Sequence, residues 1–224
     1  MSWVALVLLG GVVALDATSL GQLMLSRPFV AATLAGAIVG MPLEGALVGA
    51  LLDVLSLSVL PVGAARYPDT GTATVAAVGT LGLSGVPATP EALLLVTVYA
   101  ILWQRLAGEA AIGGRYLNER LVRAGRSAPP ARLDRLIELR HIESMLLDTA
   151  RGIAITGVAL VIGVLLLPVA LEFWALPPRT ATLAVSIATA AVLAGTAPLF
   201  TESRHARLFL VLGLAFGSML LVVR

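Results

Sequence analysis

Residues 60–72 read LPVGAARYPDTGT, and the reading of this stretch decides the fold. On both sides the chain is almost wholly apolar. Here it breaks into prolines, glycines, an arginine, a tyrosine and an aspartate. The segment just before it, ALVGALLDVLSLSVL (46–60), already carries Asp53. In a soluble chain such a stretch would be an ordinary loop. In a chain that lives in lipid it must lie buried in protein or against a water-filled cavity, because no solvent at that depth satisfies broken backbone.

Composition selects the second case. The chain has 224 residues, of which 58% are hydrophobic and 12% charged, with a mean hydropathy of +0.98. Soluble domains hold about 25% charged residues, so a large soluble core does not account for this balance. The sequence predicts an all-α, multi-spanning integral membrane protein forming a single membrane domain over 1–224. All fifteen basic residues are arginine and no cysteine is present. Thiolate metal sites, disulfides and cysteine nucleophiles are therefore excluded. The arginines sit beside no base-reading pattern, so nucleic acid is not a partner. MSWVALVLLGGVVAL (1–15) lacks a basic start and a small-residue cleavage site, and is read as a retained membrane segment.

Working outward from 60–72, the apolar runs of the N-terminal half (1–103) are short. PFVAATLAGAIVG (28–40) and 46–60 would reach about 20 Å and 23 Å as helices, less than the roughly 30 Å of a bilayer core. Residues 73–88 are small and Gly-rich, and 91–103 is short again. Short segments broken by Gly and Pro predict re-entrant or discontinuous helices, the kind that surround substrate sites in transporters. Gly36/Gly40 and Gly45/Gly49, each spaced by four, mark close helix packing.

Residues 104–151 form the one polar region, with nine arginines. Basic connecting segments stay on the cytoplasmic side, so this region is placed inside, its arginines individually solvated. Within it, ARLDRLIELRHIESMLL carries Leu133, Leu136, Ile137, Leu139, Ile142 and Leu146 at helical spacing, a cytoplasmic amphipathic helix for the membrane surface or a partner. Glu119 and Arg123 are placed for an i,i+4 pair. Residues 152–224 then supply conventional spans at 152–171, 180–199 and 208–223, leading out, in and out again.

Asp53 is the sharpest candidate for chemistry. A carboxylate at the centre of a membrane helix costs about 2.5–3.5 kcal/mol on insertion scales, so it must face protein or water. It reads as a ligand or proton group, or as a helix-packing hydrogen bond. Asp69 precedes Thr70, Gly71 and Thr72, which suit either a polyhydroxy ligand or a capped helix start. Gln22 can donate and accept at once, as sugar hydroxyls require. Asp16, at the edge of an apolar run, reads as interfacial. His141 and His205 have no metal-ligand partner at useful spacing. No phosphate-binding glycine loop, dinucleotide fingerprint or nucleophile elbow is present. No cofactor, metal or catalytic residue is therefore expected.

LDATSLGQLMLSRPFVAATLAGAIVG (15–40), followed by EGALVGALLDVLSLSVLPVGAARYPDTGTATVAA (44–77), resembles the IIC component of mannose/fructose/sorbose-type phosphotransferase permeases. The pattern is an aspartate, then GQ and SRP, a Gly-rich apolar segment, G-x-L-[ED], and L-P-V-G-A-A with P-D. The resemblance implies a sugar permease subunit, not an enzyme by itself, in the bacterial inner membrane. It implies a hetero-oligomer with an IID-like membrane subunit and cytoplasmic IIA and IIB phosphocarriers, IIB phosphorylating the incoming hexose-type sugar. It also implies an elevator-like motion of a core against a scaffold. Matching positions carry substrate-binding roles to Gln22, Arg27, Asp53, Pro61, Gly63, Ala64 and Asp69. Asp53 stands where the family commonly has glutamate, and Arg66-Tyr67 where small residues or proline are commoner. The competing readings are a membrane scaffold or regulatory subunit that kept the fold and lost transport, and a proton-coupled carrier using Asp53.

Overall fold

Short helices packed around a buried central one make up the N-terminal half of the computed structural model. It describes residues 1–57, 68–125 and 133–174, together with single residues at 177, 180, 183, 186, 190 and 208. The helices are α1 (Ser2–Thr18), α2 (Pro28–Val39), α3 (Pro42–Ser56), α4 (Thr70–Leu83), α5 (Pro90–Gly125) and α6 (Leu133–Phe173). No strand occurs among the described residues. The all-α class and the short helices of the N-terminal half agree with the sequence. The broken stretch at 60–67, including Pro61, Gly63 and Ala64, lies outside the described residues. So do the spans expected over 180–199 and 208–223, apart from single residues.

α4 is the axis of the fold. All eleven residues from Gly71 to Leu81 are buried, and the helix touches α1, α2, α3, α5 and α6. Its sequence, TGTATVAAVGTLGL, explains this position. Small side chains on every face let neighbouring backbones come close, and a helix apolar all round belongs in the interior. At 14 residues it is about 21 Å long, shorter than a bilayer core. The main core adds Leu6 and Val13 from α1, Ala31, Ala32 and Ala35 from α2, Val48 and Leu52 from α3, and Ala92, Val96 and Ala100 from α5.

α2 and α3 form a tight antiparallel hairpin. Gly40 ends α2 in the left-handed region at φ +79°, where a side chain would be strained. The Met41 N–H then donates to the Gly36 carbonyl at 2.7 Å, and Pro42 starts α3. A Cβ on Gly45 would lie 2.4 Å from the Ala32 carbonyl oxygen, so the two helices pack backbone to backbone. The spaced glycines thus do two jobs: Gly36, Gly45 and Gly49 allow contact, while Gly40 turns the chain.

α5 and α6 are long. With 36 and 41 residues they reach about 54 Å and 61 Å. Both are long and apolar enough to cross a membrane. The sequence suggested a short segment at 91–103 and a separate amphipathic helix near 132–146. Instead, α5 passes through 103/104 and α6 through 151/152 without a break. The polar residues after Trp103 are mostly good helix formers, so polarity changes while the backbone conformation does not. Outward-facing Leu102, Leu106, Val158, Val161, Leu165 and Val169 are all exposed. At the far ends the two helices carry Arg120, Arg123, Arg135 and Arg140. The Glu119–Arg123 pair forms as expected. Leu139, Ile142 and Leu146 lie on one side of α6 and are exposed, as is Ile137 on the other side.

Candidate functional site

Helix ends converge where the apolar parts of α5 and α6 give way to their basic extensions. The C-termini of α1 and α3 meet the N-termini of α2 and α4 there. They surround a cavity of about 470 Å³, whose walls include Gln22, Arg27, Asp69, Arg115 and Arg151. Small-molecule sites commonly have volumes of about 300–1,000 Å³.

Asp69 caps α4: one carboxylate oxygen, Oδ1, accepts from the Thr72 N–H at 3.3 Å. The other, Oδ2, accepts from Arg151 Nη1 at 2.8 Å, and both side chains are only 7% exposed. The Asp69 backbone N–H donates to the Gln104 carbonyl of α5 at 3.1 Å. One residue therefore ties together α4, α5 and α6. Both of its oxygens are engaged within the protein, each with one lone pair still open.

Arg151 also approaches Asp148, with Nε 3.8 Å from Oδ1. Asp148 in turn accepts hydrogen bonds from the hydroxyls of Thr18, at 2.8 Å, and Ser19. This chain of polar contacts runs from α1 through α6 to the head of α4. Arg151 corrects an expectation: it belongs to the nine arginines read as solvated, yet it is buried and paired. Its sequence neighbours gave no sign of this, because its partner Asp69 is 82 positions away.

Asp16, near the C-terminal end of α1, is 3% exposed and borders the same cavity. Its carboxylate accepts from the Leu23 N–H at 2.6 Å and the Ser26 N–H at 2.9 Å. A buried carboxylate without an arginine partner stays favourable when backbone donors take up its charge.

Of the residues marked from sequence, Gln22, Arg27 and Asp69 come together on the one cavity. Asp53 stands one turn before Ser56 and Leu57, which line it, and reaches the site through Arg27: Arg27 Nη1 lies 3.4 Å from Asp53 Oδ1. Asp53 thus faces Arg27, with its side chain 28% exposed. Among the described residues no cluster suited to a metal ion occurs. The arrangement offers amide, guanidinium and carboxylate groups in a recess bounded by helix ends, a set suited to an uncharged solute rich in hydroxyls.

Residues 1–128 match a protein family described as the sorbose-specific IIC component of the phosphotransferase system. Among solved structures, one titled "Structure of membrane protein" aligns with a TM-score of 0.66 at 17% identity. The alignment covers 97% of this chain and 86% of that one, a likeness of fold. No curated protein matches the chain.

Proposed function

This chain belongs to the family of sorbose-specific IIC components, the membrane-embedded permease subunits of sugar phosphotransferase systems, and from that premise we propose that it binds a hexose-type sugar in the cavity between its helix ends. The single observation that supports this reading is the meeting of Gln22, Arg27 and Asp69 on that cavity. Gln22 and Arg27 are exposed to it, while Asp69 accepts with its remaining lone pairs. Asp53 holds Arg27 toward the solute. Pro61, Gly63 and Ala64, outside the described residues, are included by their place in the family pattern alone.

The chain carries the sugar across a bacterial inner membrane, as a multi-pass subunit, and leaves its phosphorylation to a separate IIB-type protein. Family membership implies association with other components of the system. The partners we propose are a IID-like membrane subunit along the exposed apolar faces of α5 and α6, and IIA and IIB proteins at the basic ends of those helices. The exposed side of Leu139, Ile142 and Leu146 suits such a contact, or the membrane surface between them.

The test is phosphoenolpyruvate-dependent phosphorylation of external fructose, mannose and sorbose by vesicles carrying this chain with the other components. Gln22→Ala and Arg27→Ala should each raise the KM for the transported sugar while the protein still inserts. Uptake of unmodified sugar would point to a proton-coupled carrier. No uptake of any of the three would leave a scaffold.

A further inference from the structure

The loop between α1 and α2 holds an unusual backbone. Gly21, Gln22 and Met24 have φ of +56°, +48° and +64°. Glycine accepts this region freely, but glutamine and methionine do not. Such residues persist there only where the surroundings over-determine them. The loop is also open to its surroundings, with Leu20, Leu23 and Met24 exposed, so packing does not hold it. Within it the Gln22 N–H donates to the Leu20 carbonyl at 2.5 Å and the Arg27 N–H to the Met24 carbonyl at 3.1 Å, and Asp16 ties its middle to α1. Its two oxygens each take one backbone N–H, from Leu23 and from Ser26, on the two sides of Met24 and just beyond Gln22. At 3% exposure the carboxylate meets little water that would compete for these donors, although it borders the cavity.

We propose that Asp16 is a positioning residue for Gln22. Its buried carboxylate staples the 19–27 loop in the left-handed conformation that presents the Gln22 amide to the cavity. A hydroxyl-rich solute then meets a donor and an acceptor already in place. Prearranging a side chain removes the ordering cost that binding would otherwise incur. The proposal rests on the reading of the cavity as a sugar site, and it gives the spacing of Asp16 and Gln22 a physical reason. A carboxylate is required because both tethers are N–H donors. An asparagine amide has one oxygen to offer, and its NH2 would face an N–H.

A double-mutant cycle in the vesicle assay tests this, with fructose, mannose and sorbose as probes and the full chain in its complex. Gln22→Ala should raise KM by roughly tenfold, as expected for lost hydrogen bonds to a solute. Asp16→Asn should raise KM by a similar factor and change the maximal rate far less. The double variant should be no worse than Gln22→Ala alone, since Asp16 acts through Gln22. Additive losses, or a fall in maximal rate with KM unchanged, would show a merely structural role and overturn the proposal. An effect of Gln22→Ala without one of Asp16→Asn would overturn it alone. No effect of Gln22→Ala would remove Gln22 from the sugar site and take the proposal with it. Asp16→Glu keeps both oxygens but displaces them by one methylene, and supplies the same cycle should the asparagine variant fail to accumulate.

Discussion

Arg151 in α6 and Asp69 at the head of α4 are joined across 82 positions of sequence by a 2.8 Å contact between Nη1 and Oδ2. Each side chain is 7% exposed. The pair sits at the wall of the cavity and locks the central helix to the longest one. Arg151 also lies beyond the residues that match the family, so nothing in the family pattern marks it.

Removing one member of a buried pair leaves the other charge uncompensated, at a cost of about 3–5 kcal/mol. Arg151→Met should therefore lower the thermal unfolding midpoint of the purified protein sharply. Asp69→Asn should fall less far than Asp69→Ala. Asparagine still caps α4, whereas alanine loses the cap as well, about 1 kcal/mol more. Equal midpoints for the two Asp69 variants would show that the cap contributes nothing.

The Arg27–Asp53 pair is a different case. Its side chains are 46% and 28% exposed and 3.4 Å apart, so beside a water-filled cavity it contributes about 0–1 kcal/mol. Asp53→Asn should leave the unfolding midpoint nearly unchanged and still reduce sugar uptake, because Arg27 loses its orientation. Uptake at the normal rate and KM would remove Asp53 from the solute path.

Two glycines separate steric from backbone effects. A Cβ on Gly152 would lie 2.4 Å from the Ala14 Cβ and 2.5 Å from the Gly10 carbonyl oxygen. Gly152→Val should thus force α1 and α6 apart and cost 3 kcal/mol or more, roughly the upper end for overpacking. A Cβ on Gly40 would meet nothing within 4 Å, but its φ is +79°. Gly40→Ala should cost only about 1–2 kcal/mol, the left-handed penalty. Thermal unfolding in one detergent compares the two, and the larger loss is expected at Gly152.

Much of the fold was legible because it rests on local chemistry. The apolar balance gave the membrane class, and Pro28 and Gly40 marked the two ends of α2, whereas α3 starts at Pro42, inside the MPLEG stretch read as an interruption. The Asp-Thr-Gly-Thr run at 69–72 contained the cap that Asp69 forms. The length of α5 and α6 was not legible from hydropathy, because helix propensity continues where hydrophobicity stops. The candidate site was half legible. Gln22 and Asp69 could be named from their types and setting and Arg27 from the resemblance alone, whereas Arg151 and Asp148 looked like any other charges on a polar segment. The position of Asp16 in the sequence could not reveal that the following loop folds back over its carboxylate.

The amino-acid sequence by itself determined that this chain is helical, belongs in a membrane and carries polar groups in its N-terminal third. Those properties follow from transfer free energies and backbone preferences, which act residue by residue. Only the tertiary structure decided which carboxylates bind the protein's own backbone and which groups line the cavity, Asp16 and Asp69 doing both. That division depends on the packing of α4 against α6 and on the return of the 19–27 loop, and buried polar groups take whichever partners that packing brings within hydrogen-bond reach.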